Sequence, residues 1–486
     1  MSTRIDLGQF VKRHLKDRVF VVVSNREPYV HTKTPEGVKL AKPAGGAHTL
    51  LDAIAQSSHG VYVAHAGGDA DHKMVDAHSR LRVPPGNPTY TLKRVFLSKK
   101  EVEKYYYGFS NQALWPLCHA VFVKPVFDPS WWEYYKQVNE KFAQAILEEI
   151  GSEKAFIWVN DYHFSLLPEL LQKSGRDIKI GTFWHIPWPT YEIFRVNPWS
   201  KSILTGLLGS DFLSFHRGYH AQNFFQCIQR EIEAQNDEEH SVITYREHRT
   251  KVAPLPAGID YYEILAAKDT YKLPARQLLK RDFGVEAEYL AIGVDRLDYT
   301  KGLIERFTMI DRFLEKYPDF VGKFVYFGIL APSRTHIAAY RHYAKAVTDV
   351  AEKVNWKYMK NSWRPIHLAN KLISRDKVLS YYRAADCCLV TSLDDGMNLV
   401  AKEYVLSCES DRGMLVLSRF AGASKDLRHS ILINPYNIEE GADAIYKSLT
   451  MKKEEKKERN SKIRAELKVK NIYQWAIDFI AETVSD

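Results

Sequence analysis

The stretch that decides the fold is VFVVVS, residues 19–24, in which apolar residues occupy both faces of a predicted strand. A half-exposed strand alternates apolar and polar residues, whereas a strand covered by helices on both sides is apolar throughout. The run therefore predicts a buried parallel strand of an α/β protein.

Similar runs recur along the chain, separated by helical stretches such as residues 133–150, which end at Gly151. The first group of predicted strands covers residues 19–24, 155–159, 178–184 and 211–215. After PLPAG, residues 254–258, the alternation of predicted strands and helices begins again. The predicted strands there are 289–294, 323–329, 387–391, 414–418 and 431–434. This pattern predicts two doubly wound, Rossmann-like domains, 1–258 and 259–486, that face a central cleft. We expect the last helical stretch, residues 458–483, to cross back to the first domain.

The composition is that of a globular protein, since 45% of the 486 residues are hydrophobic and 26% are charged. The longest apolar runs are too short to span a bilayer, and residues 1–18 lack the pattern of a signal peptide, so a cytoplasmic protein is expected. The five cysteines are scattered without metal or redox spacing and are interpreted as reduced core thiols. No metal or cofactor is predicted, and a homo-oligomer is left open.

The net charge of +9 raises the question of a nucleic-acid partner. The densest basic run, residues 452–459, alternates with Glu454, Glu455 and Glu458, which is typical of a solvated helix face rather than a phosphate-binding strip. Anionic small molecules, or an excess charge that serves only solubility, explain the balance equally well. We therefore expect small-molecule substrates, and neither nucleic acid nor a membrane as partner.

Two loops that follow predicted strands carry groups suited to phosphate, and ligands of open α/β sheets bind at such strand ends. In GVDRLDYTKG, residues 293–302, Arg296 and Lys301 have the charge and spacing for a diphosphate, and a surface salt bridge between Arg296 and Asp298 is the alternative. After the first strand, Gly45 and Gly46 precede an apolar helix, where backbone amides could approach phosphate oxygens. A plain tight turn is the alternative there.

A third loop, TSLDDGMNLVAKE, spans residues 391–403. The free amides at the start of the helix that follows suit a phosphate or sugar oxygen. Glu403, two turns into that helix, could accept hydrogen bonds from the vicinal hydroxyls of a ribose. Taken alone, residues 394–396 are more typical of a helix N-cap than of a sugar site.

Taken together, these segments resemble the trehalose-6-phosphate synthase family, retaining glycosyltransferases with the two-domain GT-B fold. The resemblance runs from about residue 19 to residue 475. It rests also on YYYGFSN (105–111) with LWP (114–116), VNDYH (159–163), WHIPWP (184–189) with EIFR (192–195), and LSRFAGA (417–423). Several long segments in the same order are far more specific than any single motif.

The resemblance implies transfer of glucose from a nucleotide-glucose, expected to be UDP-glucose, to glucose 6-phosphate, which forms α,α-trehalose 6-phosphate. It assigns the donor diphosphate to Arg296, Lys301 and the Gly45-Gly46 turn, and the ribose to Glu403. The donor glucose is assigned to the side chains of His185 and Asp395 and to the amides of the five residues that follow Asp395. Those five residues are Gly396, Met397, Asn398, Leu399 and Val400. Arg296, Lys301, His185 and Asp395 would be the catalytic residues. A core histidine is the alternative for His185.

For the acceptor, the resemblance assigns the sugar phosphate to Arg26, Tyr106 and Arg334. Two arginines and a phenol match the oxygens of a phosphate ester well. Further residues would line the acceptor pocket, namely Trp115, Asp161 and Tyr162. The implied mechanism is front-face attack with retention of configuration, in which the leaving diphosphate accepts the proton of the acceptor hydroxyl. No second catalytic carboxylate is then needed.

The sequence departs from the family pattern in four places. Asn160 stands where the family usually has His, and Asp394 stands where it usually has a basic residue. The segment AHAGGD, residues 64–69, replaces a Trp- and Gly-containing stretch, and residues 1–16 are additional. These departures bear on donor and acceptor preference. Two alternatives therefore remain: the same chemistry with glycerol 3-phosphate as acceptor, and a sugar-phosphate sensor without catalysis.

Overall fold

The computed structural model of the protein describes residues 2–42, 47–267 and 273–485. By its internal contacts the chain forms two compact units. Unit 1 comprises Met1–Gly258 with Ile472–Asp486, and unit 2 comprises Ile259–Asn471. Each unit contains a largely parallel sheet with helices between its strands, so the predicted α/β class with two doubly wound sheets is confirmed.

In unit 1 the strands are β1 (Arg18–Ser24), β2 (Val30–Thr34), β3 (Gly37–Ala41), β4 (Val61–His65), β5 (Arg80–Val83), β6 (Tyr90–Val95), β7 (Lys154–Asn160), β8 (Ile178–Trp184), β9 (Phe212–Phe215), β10 (Gln235–Asp237), β11 (Val242–Tyr245) and β12 (His248–Pro254). The helices are α1 (Arg4–His14), α2 (Ala47–Ser58), α3 (Lys99–Glu101), α4 (Trp115–Cys118), α5 (Pro129–Ile150), α6 (Leu167–Gln172), α7 (Tyr191–Phe194), α8 (Ser200–Leu207) and α9 (Gly218–Glu231). A π-helix, Val102–Leu114, links α3 to α4.

The main sheet of unit 1 has the order β10-β11-β12-β9-β8-β7-β1-β4-β6-β5, and its strands from β12 to β6 are parallel. The predicted strand at 19–24 is β1, which lies inside this sheet between β7 and β4, and Val21, Val22 and Val23 are fully buried. Chain order reverses between β1 and β7. The loops that follow these two strands therefore line the crevice where doubly wound sheets bind ligands.

Unit 2 contains β13 (Tyr289–Arg296), β14 (Phe324–Ala331), β15 (Ile366–Ala369), β16 (Cys387–Val390), β17 (Met414–Ser418) and β18 (Ile431–Ile433). Its helices are α10 (Tyr261–Ala266), α11 (Ala275–Phe283), α12 (Leu303–Lys316), α13 (Ala338–Tyr358), α14 (Arg375–Ala384), α15 (Leu399–Ser407), α16 (Ile438–Thr450) and α17 (Lys453–Val469). The strands are all parallel in the order β15-β14-β13-β16-β17-β18, so chain order reverses between β13 and β16.

The sheet of unit 2 is buried on both faces, as the apolar strands predict. Leu290 and Ile292 of β13 join one hydrophobic core, whereas Ala291 between them joins the other. In the same way Cys388 and Cys387 of β16 belong to opposite cores. Successive side chains of a strand point to opposite faces, so helices on both sides require apolar residues at every position.

The C-terminal stretch is two helices rather than the single helix expected over residues 458–483. The first, α17, ends at Val469 in unit 2, and α18 (Ile472–Val484) lies in unit 1. Within unit 1, Trp475 donates its indole N–H to the carbonyl of Leu255 (3.2 Å), and Phe479 stacks on Trp158 with ring centroids 4.1 Å apart. These contacts bury α18 against the main sheet of unit 1.

The five cysteines are buried and free, as predicted for core thiols. In the part of the chain that the structure describes, no helix combines the length and the apolar character needed to cross a membrane.

Candidate active site

The carboxylate of Asp298, in the loop after β13, is buried and lies near three predicted phosphate ligands. These are Arg296, Lys301 and Arg334. Arg334 donates to Asp298 Oδ2 (2.9 Å), and Arg296 Nη2 lies 3.9 Å from the same oxygen. Burial acts to raise the pKa of Asp298, but the charges of Arg334, Arg296 and Lys301 hold it below its usual range. The salt bridge of Arg296 with Asp298 therefore exists, but as part of a cluster of cations at the end of β13.

Gly302 sets the path of the chain directly after Lys301. Its φ of +59° lies in the left-handed region, and a Cβ at this position would lie 2.2 Å from the carbonyl oxygen of Thr391. Only glycine fits such a close approach at little cost. The turn therefore brings the Lys301 loop against the loop that follows β16.

Lys301 and Asp395 are the direct link between these two loops. Lys301 Nζ donates to Asp395 Oδ2 (2.6 Å), and the Asn398 side-chain amide donates to the same oxygen (3.0 Å). The amide of Met397 donates to Asp395 Oδ1 (3.2 Å). The Ser392 hydroxyl also donates to Asp395 Oδ2 (3.4 Å), and a carboxylate with this many donors is held in one orientation.

The N-cap of α15 is Asn398, and not the Asp-Asp-Gly stretch at residues 394–396 that the sequence suggests. Asn398 has φ +75°, and its Oδ1 accepts from the amide of Ala401 (3.1 Å). The amides of Leu399 and Val400 begin the helix and have no acceptor within it, because the first turn of any helix lacks preceding carbonyls. Residues 396–400 thus present the start of a helix beside Asp395, as the resemblance implies for binding of sugar and phosphate oxygens.

Glu403 is paired with Arg375, a residue that the sequence analysis missed. Arg375 donates from Nε to Glu403 (3.2 Å) and from Nη1 to Glu263 (2.6 Å). Burial raises the pKa of Glu403, and the charge of Arg375 opposes this shift. The signal that could have found Arg375 is weak, because 28 residues separate it from Glu403 and only the fold joins them.

The sequence analysis also missed Arg306, whose side chain forms hydrogen bonds with residues at the ends of both β13 and β16. This fully buried guanidinium donates to Asp295 (2.6 Å), to the hydroxyl of Tyr326 (2.8 Å) and to Thr391 Oγ1 (2.9 Å). A Cβ at Gly293 would lie 2.1 Å from the Tyr326 hydroxyl, so glycine makes room for this network. Arg306 holds the strand ends that carry Arg296 and Asp395.

In unit 1, Arg26 and Tyr106 lie together after β1. Arg26 Nη2 donates to the Tyr106 hydroxyl (2.9 Å). Tyr106 belongs to the π-helix, where the wider turn lets Asn111 donate its side-chain amide to the carbonyl of Tyr106 (2.7 Å). A guanidinium and a phenol are both groups that can donate hydrogen bonds to phosphate oxygens.

The predicted pocket residues of unit 1 form a connected group. Asp161 follows β7 with φ +74°, and its Oδ1 accepts from the amide of His185 (3.1 Å). The Tyr162 hydroxyl donates to Asn111 Oδ1 (2.9 Å), and its ring lies 5.8 Å from that of Trp115. Trp115 is almost completely buried.

His185 lies at the end of β8, half-buried among aromatic rings. Burial lowers its pKa to about 3, so the imidazole is neutral at physiological pH. Its Nε2 lies 3.2 Å from Asn160 Oδ1.

The loop that departs from the family pattern, residues 64–69, is held by a buried ionic network. Arg94 donates to Glu27 (2.8 Å) and forms an ion pair with Asp71 (2.8 Å). These carboxylates in turn accept from the amides of Gly67 (2.8 Å) and Gly68 (2.6 Å). Because Glu27 follows Arg26, the network fixes the backbone beside the predicted phosphate ligand.

The structure thus groups the predicted residues by unit. Those in unit 2 are Arg296, Lys301, Arg334, Asp395, Gly396, Met397, Asn398, Leu399, Val400 and Glu403. Those in unit 1 are Arg26, Tyr106, Trp115, Asp161, Tyr162 and His185. Gly45 and Gly46 lie outside the described residues. Within the described ranges, no group of three or more His, Cys, Asp or Glu side chains has the geometry to hold a metal ion.

Known proteins share both the sequence and the fold. Residues 18–484 match the sequence model of glycosyltransferase family 20. A trehalose-6-phosphate synthase of Mycobacterium leprae is 34% identical over 479 residues, which cover 96% of this chain and 95% of that protein. A solved structure described as trehalose-6-phosphate from E. coli bound with UDP-2-fluoro glucose superimposes with a TM-score of 0.84 at 31% identity, covering 96% of this chain and 98% of that one.

A second solved structure is an α,α-trehalose-phosphate synthase (UDP-forming) from Burkholderia xenovorans in complex with glucose 6-phosphate. It has a TM-score of 0.85 at 27% identity and covers 96% of this chain and 100% of that one. The agreement therefore extends over nearly the whole length of both chains, and the GT-B fold implied by the resemblance is confirmed. The match of the family model, the relative and the structures together show that the chain belongs to glycosyltransferase family 20.

Proposed function

We propose that this glycosyltransferase forms α,α-trehalose 6-phosphate from UDP-glucose and glucose 6-phosphate, with retention of the anomeric configuration. The observation that carries the proposal is the cluster of Arg296, Lys301 and Arg334 around Asp298 at the ligand-binding end of β13. Three cations against the two carboxylates Asp298 and Asp395 leave a net positive charge, which suits the anionic diphosphate and the acceptor phosphate. The E. coli and Burkholderia relatives, whose structures contain a UDP-glucose analogue and glucose 6-phosphate, support this choice of substrates.

Unit 2 is proposed to bind the donor. Arg296 and Lys301 contact the diphosphate, to which the Gly45-Gly46 turn also contributes, and Glu403 accepts hydrogen bonds from the ribose. Asp395 and the amides of residues 396–400 bind the glucose. His185 also forms a hydrogen bond with a hydroxyl of the glucose. As the glycosidic bond to the diphosphate breaks, Arg296 and Lys301 stabilise the charge that develops on the leaving oxygen.

The acceptor is proposed to bind through its phosphate to Arg26, Tyr106 and Arg334. Trp115, Asp161 and Tyr162 contact the sugar ring and its hydroxyls. The acceptor hydroxyl attacks the anomeric carbon on the face from which the diphosphate leaves, and its proton passes to the departing phosphate oxygen. This scheme requires neither a metal ion nor a second catalytic carboxylate.

A donor-by-acceptor grid tests the proposal. UDP-, GDP- and ADP-glucose are each incubated with glucose 6-phosphate or glycerol 3-phosphate, and the product and the released nucleotide are quantified. We expect turnover with UDP-glucose and glucose 6-phosphate, to a product with the retained α,α linkage. Turnover with glycerol 3-phosphate alone would replace the acceptor, and a lack of turnover with every pair would favour a sensor.

A further inference from the structure

The ring of His185 is surrounded on several sides within unit 1. Phe183, His216 and Trp475 approach it with ring centroids 4.5, 5.4 and 6.3 Å away. One ring nitrogen, Nε2, lies 3.2 Å from Oδ1 of Asn160. Asn160 is itself buried, at 2% exposed.

The direction of this hydrogen bond follows from the other contacts of Asn160. Its side-chain nitrogen donates to the carbonyls of Val23 (3.0 Å) and Trp158 (3.3 Å), so the amide oxygen is the atom that faces His185. An amide oxygen only accepts, and therefore Nε2 of the imidazole carries the proton. In a neutral imidazole with a protonated Nε2, the other nitrogen, Nδ1, is an acceptor.

We propose that Asn160 is a positioning residue that fixes His185 as the Nε2–H tautomer, so that Nδ1 accepts a hydrogen bond from a hydroxyl of the donor sugar. The identity of the ligand rests on the proposed function, whereas the tautomer does not. Among the described residues, none forms a hydrogen bond with Nδ1. The amide oxygen of Asn160 does not titrate, so it accepts from Nε2 at every pH.

The surroundings of His185 keep this arrangement stable with pH. Burial lowers the pKa of the imidazole to about 3, so the ring stays neutral. Two titratable groups lie near it. Asp161 accepts from the backbone amide of His185 (3.1 Å), and the ring of His216 lies 5.4 Å away.

The tautomer is tested directly by NMR of the full chain with ¹⁵N-labelled histidine, in which the His185 signals are identified by their loss in His185→Gln. We expect a protonated Nε2 and an unprotonated Nδ1 at every pH from 6 to 8. A protonated Nδ1 in the wild-type protein would overturn the proposal, whatever the substrates are. This measurement needs no activity, so its failure is distinct from a failure of the substrate grid.

The link to the donor is tested by kinetics with UDP-glucose and with UDP-sugars that each lack one hydroxyl. Asn160→Ala removes the acceptor, and we expect kcat to fall about tenfold, the effect of one hydrogen bond, without a change in the KM for the acceptor. One of the deoxy donors lacks the hydroxyl that His185 binds. With that donor, Asn160→Ala and the wild type should have the same kcat, because the interaction is already absent, as in a double-mutant cycle. An equal loss with every donor would show a structural role only.

Two further variants keep the test decisive if Asn160→Ala fails to fold. Asn160→Asp retains an acceptor opposite Nε2 and adds a charge that raises the pKa of His185. We expect its activity near pH 8 to approach that of the wild type and to fall at lower pH, because a protonated Nδ1 no longer accepts. Thr182→Val removes a buried hydroxyl from β8, the strand before His185, where Thr182 Oγ1 lies 2.7 Å from Ser210 Oγ, and it should show none of these effects. A flat pH profile in Asn160→Asp at reduced activity would overturn the proposal.

Discussion

Lys301 Nζ lies 2.6 Å from Asp395 Oδ2, although 94 residues separate the two in the chain. The contact joins the loop after β13 to the loop after β16, on the two sides of the point where strand order reverses. A cation assigned to the diphosphate and a carboxylate assigned to the transferred sugar are thus oriented by each other. The donor would meet both groups already in place, which reduces the reorganisation needed for catalysis.

Lys301→Ala should lower kcat by about 100-fold or more, because it removes a charge that stabilises the leaving diphosphate and leaves Asp395 without its strongest partner. Release of nucleotide from UDP-glucose in the presence of glucose 6-phosphate measures this effect. Lys357→Ala is a matched control, since Lys357 forms a surface ion pair with Asp311 (2.7 Å) in the same unit. It should leave kcat unchanged, and a loss in Lys301→Ala no larger than in this control would exclude the assigned role.

Arg375→Met should weaken binding of the donor about tenfold and make it sensitive to pH. Burial raises the pKa of Glu403 and Arg375 counters it, so the pKa rises further once the guanidinium is gone. Glu403 then keeps its proton to a higher pH than in the wild type, and a protonated carboxyl accepts hydrogen bonds from the ribose less well. Titration calorimetry with UDP between pH 6 and 9 measures the effect, which should be larger at the acid end. A pH-independent loss would argue against the coupling.

Arg26→Ala should raise the KM for glucose 6-phosphate by about 10- to 100-fold, because a charge-assisted hydrogen bond to the phosphate is lost. Tyr106→Phe should have a smaller effect in the same direction. Binding of UDP should not change in either variant. With unphosphorylated glucose as acceptor, Arg26→Ala and the wild type should have equal rates, and a persisting difference would indicate that Arg26 acts elsewhere.

Glu27→Gln should alter the dependence of stability on pH. Burial, and to a lesser extent the hydrogen bond with Asp71, raise the pKa of Glu27 to about 8 from 4.5, and Arg94 opposes the shift. Because the folded-state pKa is raised, the protonated carboxyl stabilises the folded protein fully below pH 4.5, and this contribution is lost as pH rises toward 8. A neutral amide cannot lose a proton.

The wild-type free energy of unfolding should therefore fall relative to that of Glu27→Gln as pH rises from 5 to 8, by up to about 1.4 kcal/mol per pH unit. Urea unfolding at several pH values measures the difference. Asp376→Asn, in a first helical turn of unit 2, serves as a control for a single acid-to-amide change. Parallel pH curves for Glu27→Gln and the wild type would contradict a raised pKa.

The sequence by itself determined the α/β class and nine of the eighteen strands in the described residues, because a strand buried on both faces must be apolar at every position, as in residues 19–24. It also pointed to Arg296, Lys301 and Asp395 near strand ends and to Glu403 in the helix that follows, since their chemistry is visible in their residue types. The break between α17 and α18 was not visible, because neither Pro nor Gly separates the two stretches.

Only the tertiary structure decided which residues hold these groups in place. Arg375 reaches Glu403, Arg306 reaches Thr391, and Asn160 reaches His185 across gaps of 28, 85 and 25 residues. Long-range partners of this kind leave no periodic or local pattern in the chain, because the order of strands in a sheet, and not their order in sequence, makes them neighbours.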